Sequence, residues 1–194
     1  LREWPRDWRV ATWITAGLGL ALVLGYYLVQ STPQWREQLA AEKFYNANFA
    51  GWNELAAAVR EEQAKVPGMR LLADNFKSGA ELGFALGDPD IPVLDHPLNH
   101  KHGRAPQLRL WGLQSDGSRD VPTLLVVGSS DVQYKSLLAY YHQLCEAVGP
   151  LPPPRVVNVD HGRQRFLLFA LPATRTVGTC STPAFAWIDT PGSG

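Results

Sequence analysis

The chain has 194 residues, enough for one domain of usual size plus one further element. Its 18 lysines and arginines balance its 18 aspartates and glutamates, so the formal net charge is zero. A neutral chain provides no electrostatic argument for nucleic-acid binding, and we expect no nucleic-acid partner. The first residue is leucine rather than methionine, which predicts a piece of a longer chain or a processed form.

Residues 1–35 are predicted to form a cytoplasmic end followed by a transmembrane helix. Residues 10–29 (VATWITAGLGLALVLGYYLV) contain no charge and are about as long as a helix that crosses a bilayer. Tryptophans and tyrosines flank this run, as they do at membrane–water interfaces. They are Trp4, Trp8 and Trp13 on one side and Tyr26, Tyr27 and Trp35 on the other.

A signal peptide and a buried core helix are the two alternatives for this apolar run. The run is longer than a usual signal core, and no small-residue cleavage site follows it in QSTPQW. Its apolar character on all sides and its aromatic flanks argue against a core helix. A membrane span is therefore the interpretation that the pattern favours.

The charges around the run predict its orientation. Arginines at positions 2, 6 and 9 precede it, whereas only Arg36 and Lys43 follow it closely. The positive-inside rule then favours a cytoplasmic N-terminal end. We expect the helix to lie in a bacterial inner membrane, residues 36–50 to form a linker, and residues 51–194 to form a periplasmic domain.

The outer residues, 51–194, alternate between helical and strand patterns and end in an irregular tail. Helices are expected over 51–65, 78–86 and 132–148, the last with Ser130 or Asp131 as its cap. Strands are expected over 69–74, 91–96, 108–113, 123–128 and 184–189, and 155–160 and 165–171 are expected to pair as a hairpin. The fold class predicted is α/β, with a mixed sheet flanked by helices and the hairpin as an antiparallel edge.

The turn after the first predicted strand carries Asp74 and Lys77. In open α/β sheets, ligands bind at the carboxyl ends of the strands, so both residues are candidate substrate contacts. The favoured alternative is that Asp74 or Ser78 merely caps the following helix. A second strand-to-helix turn, residues 127–131, could bind an anion, although a plain helix cap is the commoner use of such a turn.

A second candidate site is the loop DHPLNHKHGR, which contains Asp95, His96, His100, Lys101, His102 and Arg104. Imidazole suits zinc or copper, but no helix is expected here to fix the ligands and no cysteine lies nearby, so we expect no metal. With Lys101 and Arg104 the loop is basic and suits an anionic substrate or lipid head groups, with His100 and His102 beside them. The alternative is a surface loop whose Trp111 docks on the core.

Cys145 and Cys180 are the only cysteines of the chain. In an oxidising periplasm two cysteines can form a disulfide, but their spacing leaves open whether these two are bridged. The sequence contains no G-x-S-x-G, no CxxC, no P-loop and no G-x-G-x-x-G after a strand. We expect no cofactor in this part of the protein.

Two segments, LLADNFKSGAELGFAL and LNHKHGRAPQLRLW, following a membrane helix, resemble the C-terminal part of bacterial glycosyltransferases of family 39. That family includes proteins similar to dolichyl-phosphate-mannose–protein mannosyltransferases and to the aminoarabinose transferase of lipid A. The residues that match are Ala73, Asp74, Glu81, Leu82, Phe84, Leu86, Leu98, Asn99, Gly103, Arg104, Gln107, Leu110 and Trp111. The chain departs from the family pattern at Ala85, Pro106, Leu108 and Arg109, so the resemblance does not name the sugar or the acceptor.

The resemblance implies a multi-span inner-membrane enzyme that transfers a sugar from a polyprenyl-phosphate carrier to an acceptor outside the cytoplasm. The family's acidic catalytic residues lie between N-terminal membrane helices, so the resemblance assigns no catalytic residue to this chain. Its partners would be membrane lipid, the polyprenyl-phosphate-linked sugar and the remaining transmembrane helices of the same enzyme. The alternative from another class is a single-span, membrane-anchored periplasmic binding or assembly domain without enzymatic activity.

Overall fold

The computed structural model of the chain describes residues 5–32, 34–35, 38–39, 51–132, 136–159, 162–174, 178 and 180. The chain divides into two compact units, residues 1–50 and residues 51–194. The strand predicted over 184–189 lies outside the described residues.

The first unit contains the long helix α1, Arg6–Ser31. At 1.5 Å per residue its length is roughly 39 Å, more than the hydrocarbon thickness of a bilayer. The stretch Arg6–Val29 is long and apolar enough to cross a membrane, and none of it is buried within the structure. Length and composition are the whole of this evidence, and a signal sequence near an N-terminus meets the same criteria. Membrane insertion of α1 therefore stays a prediction.

The second unit is built on a six-stranded mixed sheet with the strand order β3-β2-β1-β4-β6-β5. The strands are β1 (Arg70–Ala73), β2 (Val93–Leu94), β3 (Gln114–Ser115), β4 (Thr123–Gly128), β5 (Arg155–Val159) and β6 (Gln164–Leu171). The first four are parallel, whereas β6 runs antiparallel to both β4 and β5. The structure thus confirms the α/β class, the mixed sheet and the antiparallel hairpin at its edge.

The helices of the second unit are α2 (Trp52–Lys65), α3 (Phe76–Leu86), α4 (Pro97–Lys101), α5 (Ala105–Leu110) and α6 (Leu137–Val148). They cover both faces of the sheet, because β4 is buried along its whole length and offers alternate side chains to two cores. Leu124 and Val126 pack in one core with Leu55 and Leu82 of the helices α2 and α3. Leu125 and Val127, on the opposite face of β4, pack in a second core with Tyr140 and Leu144 of α6.

The strand predicted over 108–113 is wrong, because these residues belong to helix α5 and the turn that follows it. LRLWGL is a mainly apolar run with a single charge, but Leu108 is buried while Leu110 and Trp111 are exposed. Pro106 in the first turn favours a helix start, and Gly112, at a φ of 70°, provides the left-handed residue that ends it. The predicted loop before it also contains a short helix, α4.

Two of the predicted caps are wrong as well. Neither Asp74 nor Ser78 caps α3, since Asn75 is its N-cap and accepts hydrogen bonds from the backbone N–H groups of Lys77 and Ser78. The helix predicted from residue 132 begins instead at Leu137. Ser130 and Asp131 belong to a separate 3-10 turn, Ser129–Asp131, at the end of β4.

Candidate functional site

Strand β1 lies at the topological switch point of the sheet, where the order in which the chain adds parallel strands reverses. The chain leaves β1 toward β2 and β3 on one side, and it returns to place β4 on the other side. In open α/β sheets the carboxyl ends of two such strands border a crevice in which ligands bind. Asp74 directly follows β1 and Gly128 ends β4, so both lie at this switch point.

Asp74 is held there as a buried carboxylate, 1% exposed. Its Oδ2 accepts a hydrogen bond of 2.6 Å from the Tyr140 hydroxyl and one of 3.2 Å from the backbone N–H of Gly128. Among the described residues, its other oxygen, Oδ1, has no hydrogen-bond partner of good geometry, and neither has the nearby buried hydroxyl of Ser78. A buried carboxylate oxygen without a partner is costly, so this corner of the fold carries a polar group that packing alone does not need.

Burial raises the pKa of Asp74 above its ordinary value. The hydroxyls of Tyr140 and Ser78 favour the charged form and lower the pKa, and the neighbouring His96 and the N–H of Gly128 act in the same direction. Together they do not outweigh the loss of water, so Asp74 holds a proton more tightly than an exposed aspartate does. Perturbed pKa values of this kind cluster at functional sites.

His96 brings an imidazole to the same corner. It caps the N-terminus of α4, where its Nδ1 accepts a hydrogen bond of 3.0 Å from the backbone N–H of Leu98. In the neutral ring the proton is therefore on Nε2. The ring lies edge-on to Tyr140, with the two centroids 5.2 Å apart. A carboxyl, a phenol and an imidazole from the end of β1, from α6 and from the end of β2 thus meet at the switch point.

Asn99 ties the two candidate segments together. Its side-chain amide donates to the backbone oxygen of Leu94 at 2.8 Å, and its Oδ1 accepts from the backbone N–H of Phe76 at 2.9 Å. The side chain is fully buried, and it has the donor and the acceptor that this bridge needs. The start of α3 is therefore fixed to the end of β2 and to α4 through one amide.

A groove of about 690 Å³ lies between α3 and α5. Phe76, Gly79 and Ala80 of α3 line one part of it, and Arg104, Gln107 and Trp111 of the α5 segment line another. The remaining lining residues are Pro89, Asp90, Ile91, Val93, Leu108 and Leu113. The groove is thus mainly apolar, with one cationic and one anionic side chain, a composition usual for sites that bind small or amphiphilic ligands.

The structure places the predicted site residues in four different surroundings. Asp74 is buried at the switch point, so its carboxylate does not reach the solvent directly. Arg104 lines the groove, and the exposed His102 ring lies 5.6 Å from that of Phe76, which borders the groove too. Lys77 is half-buried in the first turn of α3. His100 is exposed and lies 2.6 Å from the carboxylate of Asp95.

Of the switch-point cluster, His96 is predicted only as a member of the histidine-rich loop and not as a substrate contact, and Tyr140 is not predicted as a site residue at all. His96 follows β2 just as Asp74 follows β1, so the rule that ligands bind at carboxyl ends of strands provides a signal for it. Tyr140 lies inside an amphipathic helix, where an aromatic residue is ordinarily part of the core. No local signal in the sequence pairs it with a carboxylate 66 positions away.

Three other predictions concern binding chemistry. The turn at residues 127–131 is occupied by its own contacts, since the Ser129 hydroxyl donates to the backbone oxygen of Arg165 at 3.0 Å. Within the part of the chain that the structure describes, no group of three or more histidines, cysteines and acidic residues is placed to hold a metal ion. The two cysteines, Cys145 in α6 and Cys180, form a disulfide with their Cα atoms 5.7 Å apart.

Comparison of the chain with protein-family models, with curated proteins and with solved structures finds no match.

Proposed function

We propose that the chain is the C-terminal part of an integral-membrane glycosyltransferase of a bacterial inner membrane. The enzyme transfers a sugar from a polyprenyl-phosphate carrier to a periplasmic or lipid acceptor. Helix α1 is then its last transmembrane helix, and the α/β unit lies in the periplasm over the membrane-embedded site. The catalytic residues belong to the remaining transmembrane part of the enzyme. The chain itself needs no cofactor.

One observation carries the proposal: the two separate segments that resemble family 39 enzymes form a single structural unit. Asn99 in the second segment holds the backbone of Phe76 in the first, and His102 packs beside the Phe76 ring. Both segments then line the same groove. Of the residues that carry the resemblance, Arg104, Gln107 and Trp111 line the groove, as side chains that meet a substrate would.

The chemistry of the groove suits an amphiphilic anion. Its apolar lining accommodates the hydrocarbon of a lipid carrier, and Arg104 is placed to pair with a phosphate, for which a guanidinium is well shaped. Lys77, His100 and His102 are further basic groups of the same two segments and are secondary candidates. Asp74 supports the site from beneath, through Tyr140 and the end of β4, rather than by contact with the substrate.

The test is sugar transfer from a polyprenyl-phosphate sugar by the full-length enzyme carrying Arg104→Ala. Loss of one charge-assisted hydrogen bond to phosphate predicts a roughly tenfold to hundredfold lower kcat/KM. Arg70→Ala is the matched control, because Arg70 is an exposed arginine of β1 that lies outside the groove lining. Equal activity of the two variants at equal expression would remove Arg104 from the site.

The reading frame that precedes Leu1 provides a second test. The glycosyltransferase proposal expects about ten or more further apolar spans encoded upstream. A frame that opens at or just before Leu1 would favour the single-span, membrane-anchored binding or assembly domain instead. The two tests are independent, because the first concerns a residue of the groove and the second concerns the rest of the protein.

A further inference from the structure

Three large apolar side chains of the second unit are unusually exposed, and we call them the apolar rim: Phe84 (90%), Leu110 (84%) and Trp111 (60%). Trp111 lines the groove itself, and Leu110 precedes it in the chain. Phe84 follows the groove residues Phe76 and Ala80 at spacings of four, which places all three on one side of α3. The rim is therefore associated with the groove, and it belongs to neither of the two cores that the described residues form.

The segment that carries Leu110 and Trp111 has positive charge only, whereas Glu81 and Asp88 lie near Phe84 in the sequence. From His96 to Ser115 there is no aspartate or glutamate, although the whole chain is neutral. Lys101, Arg104 and Arg109 lie in this stretch and are all exposed. Acidic groups come from outside it: Asp90 lines the groove, and Asp95 pairs with His100. Three cations thus share two consecutive short helices and the turn between them with the exposed Leu110, which Trp111 follows directly.

We propose that this surface, the apolar rim with Lys101, Arg104 and Arg109, docks on the anionic head-group region of a phospholipid bilayer. Helices that lie in the membrane interface typically combine leucine, phenylalanine and tryptophan with basic residues. Trp111 suits the head-group level, where its ring is half in apolar surroundings, and the cations suit lipid phosphates. An ordinary protein partner would also cover the rim, but a stretch from His96 to Ser115 without acidic residues favours a surface of phosphates.

The proximity of a bilayer follows from the proposed membrane anchor, since α1 precedes α2 by only about twenty residues of sequence. The inference therefore rests on the part of the proposed function that places α1 in a membrane, and on no part of the sugar transfer. Docking would hold the groove mouth at the level of the lipid head groups. Lipid-linked molecules would then reach the groove without leaving the membrane surface.

The experiment uses the whole chain in vesicles of phosphatidylcholine with and without phosphatidylglycerol. Single cysteines replace Leu110 on the rim, Val156 on the edge strand β5 and Leu18 in α1, and each is spin-labelled while the native cysteines stay bridged. Docking predicts that the ratio of oxygen to nickel-chelate collision rates is at least about threefold higher at position 110 than at position 156. The label at position 18 reports the insertion of α1.

Charge reversal tests the lipid selectivity. Arg109→Glu is expected to lower the ratio at position 110 at least about threefold in vesicles with phosphatidylglycerol, whereas Arg70→Glu, at an exposed arginine of β1, leaves it unchanged. Suppose that the label at position 18 is in lipid, but the label at position 110 is as accessible to the nickel chelate as the label at position 156. That result overturns the docking and leaves the membrane anchor intact. Protection from both colliders at 110 points to a protein contact and also overturns it. A label at 18 in water overturns the membrane anchor itself.

Discussion

The Tyr140 hydroxyl donates a 2.6 Å hydrogen bond to Asp74 Oδ2, and this bond joins α6 to the carboxyl end of β1. The same oxygen accepts from the N–H of Gly128, at the end of β4. Both parallel strands at the switch point are therefore fixed to one helix through a single buried carboxyl group. This is the most polar contact of the second core, whose other members are almost all aliphatic or aromatic.

We predict that Tyr140→Phe lowers the free energy of unfolding by about 1–3 kcal/mol. The substitution keeps the ring in the core but removes the hydroxyl, so Asp74 Oδ2 loses its closest donor and keeps only the 3.2 Å bond from the N–H of Gly128. The measurement is urea unfolding of the chain in detergent, followed by near-ultraviolet circular dichroism. The pKa of Asp74 should rise further in this variant, because the tyrosine hydroxyl favours the charged form.

The neighbouring tyrosine provides the matched control for that variant. The Tyr141 hydroxyl approaches the backbone oxygen of Leu151 at 3.4 Å, a long and weak contact at a half-buried site. Tyr141→Phe is expected to change the free energy of unfolding by less than about 1 kcal/mol. Equal losses in the two variants would mean that the bond to Asp74 contributes no more than an ordinary tyrosine hydroxyl does.

The raised pKa of Asp74 predicts a pH dependence of stability. Burial places the folded-state pKa above the ordinary value of 3.8, so the folded state binds a proton that the unfolded state has released. The contribution of Asp74 is therefore most favourable below about pH 4, and it declines as the pH rises from there to the folded pKa. The decline amounts to about 1.4 kcal/mol for each pH unit within that window.

Asp74→Asn removes this titration while keeping the shape of the side chain. Relative to the unsubstituted protein, we expect the variant to gain stability steadily from about pH 4 upward and to level off above the folded pKa of Asp74. Unfolding free energies measured at intervals between about pH 4 and 8 give the comparison. Asp120→Asn, at an exposed aspartate, is the control and should keep the slope of the unsubstituted protein. Parallel curves for Asp74→Asn would mean that the carboxyl is charged throughout.

The elements that the sequence predicts correctly are those whose pattern matches their burial. Strand β4 is a continuous apolar run buried on both faces, and the hairpin β5–β6 follows from two apolar runs over a polar turn. Helix α5 escapes prediction because LRLWGL is a short, mainly apolar run typical of a strand, whereas the structure buries Leu108 and exposes Leu110 and Trp111. Sequence alone cannot say which apolar residues a groove leaves uncovered.

The candidate site is predictable to a similar extent. Asp74 is found from the end of a strand, and Arg104 is found from the basic loop. What holds Asp74 depends on a helix 66 positions later, and what holds α3 depends on the Asn99 amide 23 positions later. Contacts of this kind are set by how the strands pair and how the helices pack, so no local pattern predicts them.

The disulfide between Cys145 and Cys180 predicts a large effect of reduction. It spans 35 positions, and in the chain-entropy account a loop of that length stabilises the folded state by about 3–4 kcal/mol. We expect reductant to lower the unfolding free energy by that order, and the double variant Cys145→Ala/Cys180→Ala to show the same loss without reductant. The double variant should not respond to reductant, and a response would mean that reductant acts elsewhere.

Two glycines of α3 set how closely this helix approaches its neighbours. A Cβ at Gly79 would lie 2.7 Å from a methyl of Val93, and one at Gly83 would lie 2.6 Å from the backbone oxygen of Asp88. Alanine in a helix is favourable by about 1 kcal/mol over glycine, whereas overpacking costs about 1–3 kcal/mol. The sign of the change in unfolding free energy therefore shows which of the two effects is larger. We expect both Gly79→Ala and Gly83→Ala to destabilise the protein.

Gly83→Ala should lose more stability than Gly79→Ala, because a side chain can shift by a few tenths of an ångström more easily than the backbone before Pro89. Gly79 and Val93 both line the groove whereas Gly83 does not, so Gly79→Ala should also change ligand binding in the groove, and Gly83→Ala should change mainly stability. Ala80→Gly, at an exposed position of the same helix, calibrates the helix propensity alone at about 1 kcal/mol. If Gly79→Ala instead stabilises the protein by a similar amount, the contact with Val93 is loose and α3 does not depend on a small residue there.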